Sequence, residues 1–106
     1  MQTADLFGQI AFSTEKMKKV PLFGTDRLLS DLYCFEPGQE QKLHVHEKSD
    51  KVYVVLEGQG VFFVGGEKST LRAGQAVLAA AGQEHGVQNP GAERLICFVL
   101  SCPPVK

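Results

Sequence analysis

The feature that most constrains the fold is a series of short apolar runs bounded by glycine or proline and repeating about every eight to twelve residues. The runs occupy residues 20–23, 28–35, 42–46, 52–56, 60–64, 76–79, 86–88 and 94–100. Strand-length runs at this spacing are typical of an all-β sandwich or barrel. Gly65-Gly66 supplies the positive φ angles of a two-residue hairpin turn, and Pro103-Pro104 ends the last strand because proline cannot continue a ladder.

The chain length predicts one domain. The 106 residues, of which 43% are hydrophobic, are sufficient for a single core and leave no room for a second. We expect an irregular N-terminal segment and a first strand in residues 1–27, with a single helical turn near residues 13–17, and the β-barrel in residues 28–102.

Charge and cysteine content exclude several classes of partner. The 11 basic and 12 acidic residues are dispersed, so there is no basic stripe for nucleic acid. No apolar stretch is long enough to span a membrane, and none resembles a signal peptide, so we expect a cytoplasmic protein without a membrane partner. The odd cysteine count then favours free thiols, with Cys34 and Cys97 in the core.

The three histidines of the chain indicate a metal site. His44 and His46 are one residue apart, and in an extended strand alternate side chains point to the same face, about 6–7 Å apart along the backbone. Imidazole suits zinc, copper, iron and nickel, and His85 would add a third nitrogen. Three protein ligands leave coordination positions for water or a substrate.

Two glycine-framed motifs contain these histidines and resemble the signature motifs of the cupin family. They are Gly38-x5-His44-x-His46-x11-Gly58 and Gly74-x7-Gly82-x2-His85-x3-Asn89. The resemblance is to small single-domain cupins of the conserved-barrel type. It implies a double-stranded β-helix, or jelly roll, with metal ligands projecting into the barrel, and it implies a homodimer.

One departure from the family pattern concerns the metal. The position where the family has a glutamate ligand is Lys51, and Asp50 beside it should point away from the interior unless a bulge turns it inward. Three arrangements stay open: a site of three histidines alone, a site that also recruits Asp50, and no metal at all. A bound metal would be divalent iron, manganese, nickel or zinc.

Lys51 and Tyr53 are the candidate catalytic residues. Lys51 is either a solvated charge at a strand end, paired with Glu47 or Glu67, or an interior amine that anchors an anion or acts as a base. Tyr53 lies on the same strand face as Lys51. Among the residues expected to line the barrel cavity, Tyr53, Val55 and Val87, it is the one with a polar group, although plain core packing also explains it.

Two function classes follow from this site. One is a dioxygenase-like or isomerase-like enzyme that acts on a small polar, anionic molecule, because three-histidine cupins that resemble this arrangement include thiol and diketone-cleaving dioxygenases. The other is a non-catalytic small-molecule binding or sensory module with the same barrel. A barrel that has lost its activity also remains open, since fold does not fix function.

Overall fold

The computed structural model describes residues 1–105, and it shows an all-β fold of two antiparallel sheets. A 3-10 helix at Phe7–Gln9 precedes the strands. The nine strands found in this range are β1 (Lys18–Gly24), β2 (Leu29–Phe35), β3 (Glu40–His44), β4 (Asp50–Glu57), β5 (Gln59–Val64), β6 (Glu67–Arg72), β7 (Ala76–Ala79), β8 (His85–Gln88) and β9 (Leu95–Cys102). The predicted fold class is confirmed.

The two sheets face each other across one interior. The larger sheet has the order β1-β2-β9-β4-β7 and the smaller sheet the order β3-β8-β5-β6. Strand β4 shows why the sequence folds this way: Lys51, Tyr53 and Val55 alternate with less buried neighbours, so one face of the strand forms the barrel wall. The interior core includes Phe35, Phe62 and several residues of β9.

The segment before residue 20 lies on the outer face of the larger sheet. Leu6, Ile10 and Phe12 pack against a second cluster of buried residues that contains Leu32 and Ile96. This cover explains why Leu95, Ile96 and Cys97 are all buried although successive side chains of β9 point to opposite faces.

Two local expectations are tested by the structure. The hairpin is confirmed, because Val64 pairs with Glu67 and the glycines between them have φ angles of 60° and 87°. The helical turn predicted for residues 13–17 is wrong, since this segment bends without a helix. The hairpin implies a strand after Gly66, but β6 was not among the predicted apolar runs: it is an edge strand of mostly exposed, polar residues.

Two further properties agree with the composition. The three cysteines are free thiols, and Cys34 and Cys97 are fully buried in the core. Within residues 1–105, no helix has the length and apolar character needed to cross a bilayer.

Candidate metal centre

The smaller sheet brings the three histidines together. His44 on β3 and His85 on β8 are directly paired across the strands, and His46 follows two residues after His44. The His44 ring centroid lies 4.7 Å from that of His46 and 4.2 Å from that of His85. One nitrogen from each ring falls within 4.8 Å of the other two, close enough for the three side chains to share an ion.

His46 reaches the cluster by a different route from the one expected. Strand β3 ends at His44, so the alternation of a regular strand does not place His46. The chain leaves the sheet at this point, and the carbonyl of His46 accepts a hydrogen bond from the N–H of Gly82, which has a φ of 85°. The glycine of the second motif therefore fixes the loop that carries a histidine of the first.

Hydrogen bonds orient two of the rings for metal binding. Nδ1 of His44 donates to the carbonyl of Lys42 at 2.7 Å, and Nδ1 of His85 donates to the carbonyl of Gln83 at 2.9 Å. A carbonyl only accepts, so the proton is on Nδ1 and each Nε2 has a free lone pair. Nε2 of His85 is buried without a hydrogen-bond partner anywhere in the described chain, as expected for a metal ligand.

The electrostatic environment keeps these imidazoles neutral. Burial lowers the pKa of all three histidines, and the nearby charge of Lys51 lowers them further. The pKa of His46 falls to about 4. Only a neutral imidazole can donate a lone pair to a metal, so the residues present fit a divalent ion bound through three nitrogens.

Lys51 lies inside the barrel. Its side chain is 2% exposed, and Nζ lies 5.1 Å from the ring centroid of Tyr33 and 5.6 Å from that of Tyr53. Among residues 1–105, the one salt bridge joins Arg94 and Glu36. No carboxylate of that range therefore lies within ion-pair distance of Lys51. The structure thus agrees with the interior interpretation of Lys51 and not with a solvated pair.

The cavity beside the histidines contains this lysine. Its volume is about 370 Å³. The wall consists of polar and apolar side chains from both sheets and from the C-terminal segment: Lys19, Leu29, Asp31, Tyr33, Gln41, His44, His46, Lys51, Ser101 and Val105. Burial and the charge of Lys19 lower the pKa of Lys51 to about 8.

Asp50 lies apart from the histidine cluster. Its side chain is exposed, and Oδ1 accepts a hydrogen bond of 2.9 Å from the N–H of Ala81. It starts β4 one position before Lys51, so it faces the other side of the sheet. In the structure, Asp50 holds the loop at Ala81 by this hydrogen bond and does not point to the histidines, where the sequence had left a metal contact open.

Tyr53 approaches the site indirectly. It is 1% exposed, and its hydroxyl donates to Oε1 of Gln41 at 2.7 Å. Gln41 lines the cavity, whereas Tyr53 lies behind it and packs edge-on against Tyr33 and Phe62. Burial raises the pKa of the Tyr53 hydroxyl, so this group stays protonated and orients the Gln41 amide.

Polar cavity residues on β1 and β2 were not predicted from the sequence. Asp31 and Tyr33 alternate with the core residue Phe35, so their common face was visible once β2 was assigned. Lys19 pairs with Tyr33 across β1 and β2. Its position in the cavity could not be predicted, because a short stretch of sequence does not determine the register of an edge strand.

Comparison with known proteins decides the family. The family model described as "Cupin domain" matches residues 31–101 of this chain. The chain belongs to the cupin family. A cupin with three histidines this close has a constellation suited to a divalent metal.

Solved structures similar to this cupin confirm the architecture. The protein TT1209 from Thermus thermophilus is 47% identical, with 97% of this chain and 98% of that chain covered and a TM-score of 0.95. A conserved double-stranded β-helix protein of Klebsiella pneumoniae is 25% identical, with 97% and 90% covered and a TM-score of 0.89.

A named relative is similar over a shorter stretch. The oxalate-binding protein of Thermotoga maritima is 34% identical over 55 residues, which is 52% of this chain and 46% of that protein. The cupin described here thus spans about half the length of that relative.

Proposed function

We propose that this cupin holds a divalent transition metal on His44, His46 and His85 and binds a small carboxylate-bearing molecule between the metal and Lys51. The observation that carries the proposal is the presence, in one place, of a buried Nε2 on His85 and a buried Lys51 ammonium that have no hydrogen-bond or ion-pair partner, respectively, among residues 1–105. Iron, manganese, nickel and zinc all accept imidazole ligands.

Charge explains why the ligand is anionic. A divalent metal cation and the Lys51 ammonium repel each other, and at an effective dielectric of about 20 charges of +2 and +1 that lie ~6 Å apart cost roughly 5–6 kcal/mol. An anion between the metal and the ammonium adds two attractive interactions that offset this repulsion. The similarity to an oxalate-binding protein supports a carboxylate as the anionic group.

The residues around the ligand have separable roles. The Lys51 ammonium donates hydrogen bonds to a carboxylate, and with a pKa of about 8 it can also release and accept a proton near neutral pH. Tyr53 is a positioning residue that orients the Gln41 amide towards the cavity. A bound metal supplies Lewis acidity or redox chemistry, which suits a dioxygenase-like or isomerase-like reaction.

The second candidate is a binding or sensory cupin without turnover. The specific observation in its favour is the relative named for binding oxalate rather than for converting it. Oxygen uptake by Fe²⁺-loaded protein, with a panel of small hydroxy and oxo carboxylic acids, separates the two. Uptake abolished by Lys51→Met supports the enzyme, and binding without uptake or product supports the module.

Calorimetric titration of oxalate tests the proposal. The chain has no tryptophan, so heat is a more direct signal than fluorescence. We expect oxalate to bind Ni²⁺-loaded protein better than metal-free protein, and Lys51→Met to weaken it about 10- to 100-fold, the value of a hydrogen bond to a charged group. The exposed Lys48→Met is the matched control. Equal affinity in Lys51→Met and Lys48→Met would contradict the proposed anion position.

A further inference from the structure

Two lysines from different strands converge on one aromatic ring in the cavity. Nζ of Lys19 and Nζ of Lys51 each lie 5.1 Å from the ring centroid of Tyr33. The two ammonium groups are therefore at most about 10 Å apart, twice that distance. Lys19 reaches the ring from β1, where it pairs with Tyr33, and Lys51 reaches it from β4.

Neither ammonium group forms an ion pair with a carboxylate of residues 1–105. Within the part of the chain that the structure describes, the salt bridge joins Arg94 to Glu36, so no carboxylate oxygen lies within 4.0 Å of either lysine nitrogen. Asp31 faces the same cavity and acts on both lysines through space without forming an ion pair. Each ammonium carries three N–H donors, and no carboxylate in the described part of the chain accepts from them.

The charge balance exceeds what one carboxylate can offset. A divalent metal and two ammonium groups contribute four positive charges, and Asp31 removes one of them. A monoanion would leave two charges uncompensated in a cavity where Lys51 is 2% exposed. Like charges brought together in a partly desolvated space are costly unless counter-charge lies between them.

We propose that Lys19 and Lys51 form a second anion subsite over Tyr33, and that the ligand is a small dicarboxylate with one acid group at the metal and the other between the two lysines. This inference rests on the proposed function, because the first acid group is the one placed at the metal. It adds Lys19 as a specificity-determining residue and specifies a ligand with two separated carboxylates.

Matched acids and neighbouring lysines provide the test. Malonate and propionate, and succinate and butyrate, have equal carbon numbers and differ by one carboxylate. Each is titrated by calorimetry into Ni²⁺-loaded and metal-free wild type, Lys19→Met and Lys18→Met. Lys18 precedes Lys19 on β1 and is also exposed, and alternation places its side chain on the opposite face.

We expect wild type and Lys18→Met to bind the dicarboxylates more tightly than the monocarboxylates. Lys19→Met should lose about two- to fivefold of the dicarboxylate affinity, typical of an exposed charge pair, and leave monocarboxylate affinity unchanged. Added salt should reduce this difference, since the Lys19 side is open to solvent. Asp31→Asn should tighten dicarboxylate binding, because it removes a like charge, and a misfolded protein cannot produce that gain.

The two proposals fail in different ways. Equal dicarboxylate affinity in Lys19→Met and Lys18→Met, or wild type without a preference for dicarboxylates, overturns the lysine subsite. If the protein binds no Ni²⁺ but Lys19→Met still lowers dicarboxylate affinity, the metal site falls and the lysine subsite stands. An absence of dicarboxylate binding in both loaded and metal-free protein overturns the subsite outright.

Discussion

Replacing Lys51 by methionine should stabilise the metal-free protein. The buried ammonium has a pKa of about 8 in place of the ordinary 10.5, and each pKa unit corresponds to about 1.36 kcal/mol. The charged lysine therefore costs the folded state about 3 kcal/mol at pH 7. Methionine keeps an unbranched apolar stem of similar length and removes the charge.

The pH dependence identifies the origin of this effect. Between pH 8 and 10.5 the folded wild type has lost the Lys51 proton while the unfolded chain still holds it, so wild-type stability rises with pH across that window. Lys51→Met lacks this contribution. Its advantage over wild type should thus be about 2–3 kcal/mol at pH 7 and should shrink towards pH 10.5.

Urea denaturation followed by far-UV circular dichroism measures both quantities. The chain has no tryptophan to report unfolding, and its strand content gives the required signal. Lys48→Met, at an exposed position, should change the free energy of unfolding by no more than about 0.5 kcal/mol. If Lys51→Met is no more stable than wild type at pH 7, or the two pH curves run parallel, the buried cation is not the cause.

Three further predictions address the histidines, the motif glycines and the tyrosine. Metal-free protein should lose stability as the pH falls from 6.5 towards 4, because the unfolded chain protonates its histidines before the folded one does; thermal melts across this range should show a steeper loss in the presence of Ni²⁺, since protonation of the histidines also displaces the ion. Gly66→Ala should cost about 1 kcal/mol for its positive φ, whereas Gly58→Ala should cost several kcal/mol in urea titrations, since its Cβ would also overlap the carbonyl oxygen of Arg94. Tyr53→Phe should cost about 1 kcal/mol by losing the hydrogen bond to Gln41 while leaving metal stoichiometry unchanged.

The fold could be predicted from the sequence because turn residues and apolar runs both specify it. The paired glycines at residues 65 and 66 set a hairpin by their φ angles alone, which is a local property. The hairpin implies a strand after residue 66, but the extent of β6 could not be found from an apolar run, because an exposed edge strand is specified by pairing with β5 rather than by apolar residues of its own.

The site could be predicted only in part. The motif spacing selected His44, His46 and His85, which the fold brings together, yet the position of His46 depends on a loop held by Gly82. The inward direction of Lys51 was one of two open alternatives. Alternation along β4 shows which residues share a face of the strand, but it does not show which of the two faces is buried. The face of Asp31 follows from alternation once β2 is assigned, whereas the position of Lys19 depends on strand register, which only the structure provides.

Oligomeric state and location stay predictions. The homodimer rests on family resemblance, and light scattering at micromolar concentration should give about twice the 11.6 kDa chain mass. The cytoplasmic location stays an expectation from the sequence.

Metal titration tests the central claim most directly. Calorimetry and native mass spectrometry of metal-free protein with Ni²⁺ should show one ion per chain. His85→Phe should weaken binding at least about tenfold, because it removes a ligand, while the exposed neighbour Glu84→Gln should bind as wild type does. Lys51→Glu should bind more tightly than wild type, since it replaces a cation facing the site with a potential ligand. Wild type and His85→Phe binding Ni²⁺ with the same affinity, or neither binding it, would contradict a metal centre at the three histidines.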